Sequence, residues 1–248
     1  MQAPRTLFIT GAARRLGAQM CLYFHDRGWN VAFTQRKAGK EADELWALLN
    51  SRRADSAEFL ELDYALDEAH IQNVAEQAVA RWGRVDVLVN NASAFGRRSL
   101  SDIDMGHAQS MLQSNYLGPL FLTKALVPEL AKRQGSVINI TDIHAERPLP
   151  HFAAYSAAKA ALVALTRCLA IELAPAIRVN ALAPGSMTWP DEHHFDPEFI
   201  ERTERAIPLQ RVGNGFDLAQ AAQMLIDSTY ITGQVLPVDG GRSALPMP

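Results

Sequence analysis

The chain has 248 residues, 48% of them apolar and 21% charged, with a formal net charge of -3. That length buries a sizeable core, and the composition excludes a disordered chain. The acidic balance gives no reason to expect nucleic acid or a membrane as partner, and the largest basic group, Arg52-Arg53 with Arg36-Lys37, is too small for a polyanion surface.

Taken in order, Thr6 to Thr10 reads as a short apolar strand, followed by the turn Gly11-Ala12-Ala13-Arg14-Arg15. A helix runs from Leu16 to Arg27, with Leu16, Met20, Tyr23 and Phe24 near helical spacing and Gly28 as its cap. Asn30 to Gln35 is a strand, Lys40 to Arg52 a helix, and Ala57 to Leu62 a strand ending at Asp63. Glu68 to Trp82 is helical, and Val85 to Asn90 is a buried strand. Ser110 to Leu130 reads as one long helix interrupted in sequence by Gly118-Pro119. Ser136 to Thr141 is a strand, Ala154 to Leu173 an Ala-rich helix, and Ile177 to Ala183 a strand. From Gly185 to Gly213 there is little periodicity; Leu218 to Ile226 is helical, and Gln234 to Val238 is a last strand.

Strands alternate with helices throughout, and the central strands are continuous Val/Ile/Leu runs. That pattern predicts an α/β fold, a single Rossmann-like doubly wound parallel sheet with helices on both faces. No linker divides the chain, so one domain spanning 1–248 is expected. No apolar run of membrane-spanning length stands out, and the start runs directly into a strand, which makes the cytoplasm the expected location. Cys21 and Cys168 lie in apolar helical patterns and are expected to be reduced thiols. His193 and His194 lack a third ligand, so no metal is expected.

A glycine turn between the first strand and helix is where a pyrophosphate can sit, against backbone N–H groups and the positive helix end. The string TGAARRLG carries Gly11 and Gly17 but does not match G-x-G-x-x-G. Asp63 and Asn90-Asn91-Ala92 end successive strands on the same sheet edge, where an adenine and other ligand groups would lie. The second strand runs into Gln35-Arg36-Lys37 with no carboxylate for ribose hydroxyls. Arg14, Arg15 and Arg36 instead suit a 2′-phosphate, which favours NADPH over NADH.

Tyr155 and Lys159 are four apart on one helix face. A nearby ammonium favours the phenolate and eases proton exchange. Asp142, after a strand, is either a turn cap or a member of a proton network. Asn115 is a further candidate, holding a water or a backbone carbonyl.

With these residues assembled, the chain resembles the short-chain dehydrogenase/reductase family over nearly its whole length. The matching elements are TGAARRLG, Asp63, Asn90 to Ala92, Asn115, YSAAK at Tyr155 to Lys159, IRVNALAPG at Ile177 to Gly185, and VDGG at Val238 to Gly241. The resemblance implies hydride transfer with Tyr155 as proton donor, Lys159 on the nicotinamide ribose lowering the tyrosine pKa, and Asn115 organising a water relay. It also implies cofactor contacts from Gly11, Leu16, Asn91, Ala92, Ser93, Pro184, Gly185, Ser186 and Thr188, and a homotetramer.

Two departures narrow the match. Asp142 stands where most members carry Ser, and Arg15 where they carry Gly. Both resemble the pteridine reductases and the related dihydromonapterin or dihydrofolate reductases. There the arginine matching Arg14 reaches cofactor phosphate and pterin, the residues matching Ser93 and Phe95 face the ligand, and the aromatic ring sandwiches the pterin. Asp142 would support Tyr155 in protonating a ring nitrogen. The segment 186–212, with Trp189 and Phe199, has the character of a lid over the substrate. The expected activity is NADPH-dependent reduction of dihydrobiopterin, dihydromonapterin or dihydrofolate. The alternatives are a carbonyl or 3-oxoacyl reductase of the same fold and a non-catalytic dinucleotide sensor.

Overall fold

In the computed structural model the described residues are 3–188 and 196–245. Seven parallel strands build one sheet: β1 (Thr6–Ile9), β2 (Asn30–Gln35), β3 (Ala57–Glu61), β4 (Val87–Asn90), β5 (Ser136–Ile140), β6 (Arg178–Pro184) and β7 (Val235–Val238). Their spatial order is β3-β2-β1-β4-β5-β6-β7. The order reverses beside β1, between it and β4, and a crevice opens there at the carboxyl ends of the strands.

The helices are α1 (Arg15–His25), α2 (Lys40–Arg52), α3 (Glu68–Trp82), α4 (Met105–Leu112), α5 (Gly118–Lys132), α6 (Ala153–Glu172), α7 (Pro197–Arg205) and α8 (Gly215–Asp227). Successive strand residues point to opposite faces, and both faces are covered, which is why the strands read as unbroken apolar runs. Leu7 and Ile9 join Met20, Phe24, Phe33 and Leu225 in one core cluster. Phe8, between them in sequence, joins Leu88, Val137, Leu122 and Leu126 in the other. Burying each such side chain stabilises the fold by about 1.5–3 kcal/mol.

Three elements differ from the sequence reading. The expected helix over 110–130 is two helices joined by a π-helical turn at Gln113–Leu117. The offset brings Gly118 against the ring of Tyr64, so close that a Cβ there would lie 2.3 Å from it. Helix α8 starts at Gly215 rather than Leu218, because Asn214 caps it and closes a reciprocal capping box with Asp217. Helix α7 was hidden in the aperiodic stretch; Asp196 caps it, accepting from the Glu198 N–H, and Pro197 opens its first turn. Helix α6 does have the length and composition of a membrane span, contrary to expectation. Half of that stretch is buried against the rest of the fold, as for a core helix. Both cysteines are free, Cys21 buried and Cys168 exposed.

Candidate active site

The first turn after β1 is held from three sides. The Gly11 N–H donates to Thr34 Oγ1 at 3.1 Å, and the Ala12 N–H donates to the Thr34 carbonyl at 2.8 Å. The Asn91 side-chain amide donates to the carbonyls of Thr10 (2.8 Å) and Gly11 (3.1 Å). The N–H groups of Asn91 and Ala92 both donate to Thr10 Oγ1. Gly11 takes φ +62 and lies so close to Ala92 that a Cβ would sit 2.7 Å from its Cα. Asn91 therefore shapes the turn, and Ala92 sets how closely a ligand can approach it.

Arg15 adopts φ 54, the left-handed region that favours glycine. This is the physical meaning of its departure from the family pattern. Its guanidinium donates to the Thr188 carbonyl at 3.4 Å, across the crevice. Arg14 and Arg36 are exposed. No side chain caps α1 at Arg14, leaving its first N–H groups for another acceptor. Leu16 is half-buried behind the turn. Asp63 is first a turn former: its Oδ1 accepts from the Ala65 N–H, and its own N–H donates to His70 Nε2.

Opposite this turn, β6 delivers Pro184 to the crevice. Gly185 follows, donating its N–H to the Val238 carbonyl. The Ser186 carbonyl accepts from the Gly213 N–H, and the Thr188 N–H donates to the Gly213 carbonyl, so the two ends of the intervening segment are tied together. Thr188 Oγ1 is buried and has no partner among the described residues. A narrow glycine cradle, an uncapped helix start, an orphaned hydroxyl and the exposed Arg14 and Arg36 together fit a dinucleotide. Trp189, His193 and His194 lie outside the described residues.

The chemical end centres on Tyr155. Its hydroxyl donates to Asp142 Oδ2 at 2.6 Å, while Asp142 Oδ1 accepts from the His144 N–H. Burial, then the Asp142 carboxylate, push the phenol above its ordinary value; the Ser93 hydroxyl pulls weakly the other way. Lys159 is fully buried and donates from Nζ to the Ile140 carbonyl at 2.8 Å. Burial lowers it to about 8, with Asp142 working against that. The expectation that Lys159 lowers the tyrosine is thus not what this geometry does: burial first, and then the carboxylate in contact, raise it.

Asn115 sits in the π-helical turn, fully buried. Its amide donates to the carbonyls of Ala94 (2.9 Å) and Met111 (3.0 Å), and its Oδ1 accepts from Ser93 Oγ at 2.7 Å. Single extra-residue turns of this kind recur at functional sites. Here it links Asn115 to Tyr155 through Ser93. Asn90, by contrast, is committed to the core, donating to Asn139 Oδ1 at 2.8 Å, and Asn139 donates onward to Thr166.

Phe95 is 64% exposed and stacks on Phe152 with centroids 4.7 Å apart, meeting Tyr155 edge-on at 4.8 Å. Sequence reasoning missed Phe152; its place three residues before Tyr155, at the start of α6, was the available signal. Asp142 also lines a cavity of about 280 Å³ with Glu146, Arg147, Arg167, Gln234 and Ser243.

The pattern of a family described as enoyl-(acyl carrier protein) reductase matches residues 11–243. The chain is 34% identical to 3beta-hydroxysteroid dehydrogenase 1 of Eggerthella lenta over 98% of this chain and 95% of that protein. It is 32% identical to pteridine reductase 1 of Leishmania tarentolae over 95% of each. Other similar proteins are named as ketoacyl, sugar or aldehyde oxidoreductases. The solved structure of ElxO with NADP bound superposes with a TM-score of 0.88 at 28% identity, covering 98% of this chain and all of that one.

Proposed function

Since this chain belongs to the short-chain dehydrogenase/reductase family, we infer that it is an NADPH-dependent oxidoreductase with Tyr155 as the proton donor. Structures of ElxO with NADP and with NADPH support the cofactor. The residues that would hold it are the Gly11 turn with Arg14, Arg15 and Leu16, Arg36 beside β2, and Ser186 and Thr188 opposite. NADPH supplies a hydride when bound. Tyr155, kept protonated by burial and by Asp142, holds a proton beside the aromatic pair until a reduced atom takes it. Asp142 fixes the phenol in direction, and Ser93 with Asn115 closes the other side.

The substrate we propose is a pteridine, a dihydropterin or dihydrofolate reduced to its tetrahydro form. The observation that carries this reading is the 2.6 Å contact of Asp142 with Tyr155, where a serine would leave a hydroxyl to bind a ketone oxygen. Exposed Phe95 offers a flat ring for stacking. The relatives back the second reading, a carbonyl or 3-oxoacyl reductase, more broadly: most are named for carbonyl, sugar or steroid chemistry, and one for pteridines. A panel of dihydropterins, dihydrofolate, ketones and 3-oxoacyl thioesters followed by NADPH oxidation separates them. Turnover of no pterin ends the pterin reading. An Asp142→Ser variant that gains ketone activity and keeps pterin turnover untouched favours the second.

Two further parts belong to this proposal. The segment 186–212, of which residues 189–195 lie outside the described residues, is the lid of this reading, and the Met187–Gly213 bridge fixes the two points from which it leaves and returns. The assembly is a homotetramer, supported by Ala157, Ala160, Ala164 and Ile171 exposed along one side of α6. Sedimentation equilibrium tests the latter.

A further inference from the structure

The strand-end segment that carries Ser93 and Phe95 continues into Gly96-Arg97-Arg98. The Arg98 N–H donates to the His151 carbonyl at 2.8 Å, pinning this segment to the residue before Phe152. Arg97 follows Phe95 by two residues, at most about 7 Å along the chain. The backbone of both arginines thus lies next to the aromatic pair that meets Tyr155, within side-chain reach of its rim. Arg97 and Arg98 are exposed, and Arg97 makes no ion pair or side-chain hydrogen bond among the described residues. A carboxylate near Arg98 is Asp102, which accepts from the hydroxyls of Ser99 (2.6 Å) and Ser101 (3.2 Å), and Asp104 follows as the cap of α4. Those hydroxyls hold Asp102 below the usual carboxylate range, with Arg98 and His151 adding to the effect. This short stretch carries two adjacent arginines, in a protein whose net charge is -3. Cations gathered against the overall charge, and beside the reacting group, concentrate and orient an anion.

We propose that Arg97 and Arg98 recognise an anionic tail on the substrate, a carboxylate or phosphate carried beyond the group that is reduced. This rests on Tyr155 marking the reductase site, and it names the substrate class within that reading. A planar guanidinium pairs with either anion in two-pronged fashion. The glutamate of a folate and the phosphates of a coenzyme A thioester are the two sources of such a tail.

The test compares KM values within two substrate pairs of equal reacting group: dihydrofolate against dihydrobiopterin, and a 3-oxoacyl coenzyme A against its N-acetylcysteamine thioester. In the wild type the anionic member of the turned-over pair has the lower KM, and added salt erodes its advantage. In the double variant R97Q/R98Q the ratio of anionic to neutral KM rises about tenfold, a change expected for loss of exposed charge-assisted contacts. R97K/R98K restores much of it, which a merely structural role would not do. The pair that responds identifies the tail. A KM ratio unmoved by R97Q/R98Q while turnover persists overturns the proposal and leaves the reductase reading intact. Reduction of none of the four substrates overturns both.

Discussion

Replacing Arg15 by glycine separates the backbone role of this position from its charge. Arg15 holds φ 54, a conformation that costs a residue with a Cβ about 1–2 kcal/mol. Glycine removes that cost but gives the unfolded chain more freedom, worth about 0.5–1 kcal/mol. The net expectation is a stabilisation of about 0.5–1 kcal/mol, or roughly 1–4 °C in Tm for a chain of this size. The guanidinium, which reaches only the Thr188 carbonyl at 3.4 Å, gives up little by leaving. Binding should move the other way. Loss of one exposed phosphate contact should weaken NADPH about tenfold, with a smaller effect on NADH if the contact is to the 2′-phosphate. Differential scanning calorimetry and fluorescence titration with both cofactors read the two effects. A lower Tm refutes the strain argument; unchanged NADPH affinity refutes the phosphate role.

Tyr155→Phe should retain cofactor binding and lose about 10²- to 10⁴-fold in turnover, since it removes a positioned acid; wild-type rates in a steady-state assay would refute Tyr155 as donor. Lys159 titrates at about 8 when folded, below its ordinary 10.5, so the unfolded chain binds that proton more tightly. Folding is opposed in full below about 8 and the penalty is released as pH rises toward 10.5. The stability of Lys159→Met relative to wild type should therefore fall across that window in urea titrations; a constant difference would show that Lys159 is not buried charged. Gly118→Ala places a Cβ 2.3 Å from the Tyr64 ring and should destabilise by about 1–3 kcal/mol in the same titrations; a neutral effect would mean the ring moves freely.

Much was legible in the residues themselves. Unbroken apolar runs separated by helical periods determine a parallel sheet covered on both faces, because only burial on both sides removes the alternation that a half-exposed strand shows. The motif residues Tyr155, Lys159 and Gly11 were legible for a local reason: a helix puts positions four apart together, and a turn after a strand needs glycine. What the sequence left open were contacts between distant segments. Whether Asp142 was a cap or a partner of Tyr155 depended on α6 lying across the end of β5, and the structure makes it both. The stacking of Phe95 on Phe152 and the link from Asn115 through Ser93 join residues far apart in the chain. The sign of the Tyr155 shift was also tertiary. Spacing along the helix suggested that Lys159 would govern the phenol, but distance and burial decide electrostatics, and the carboxylate is the group in contact.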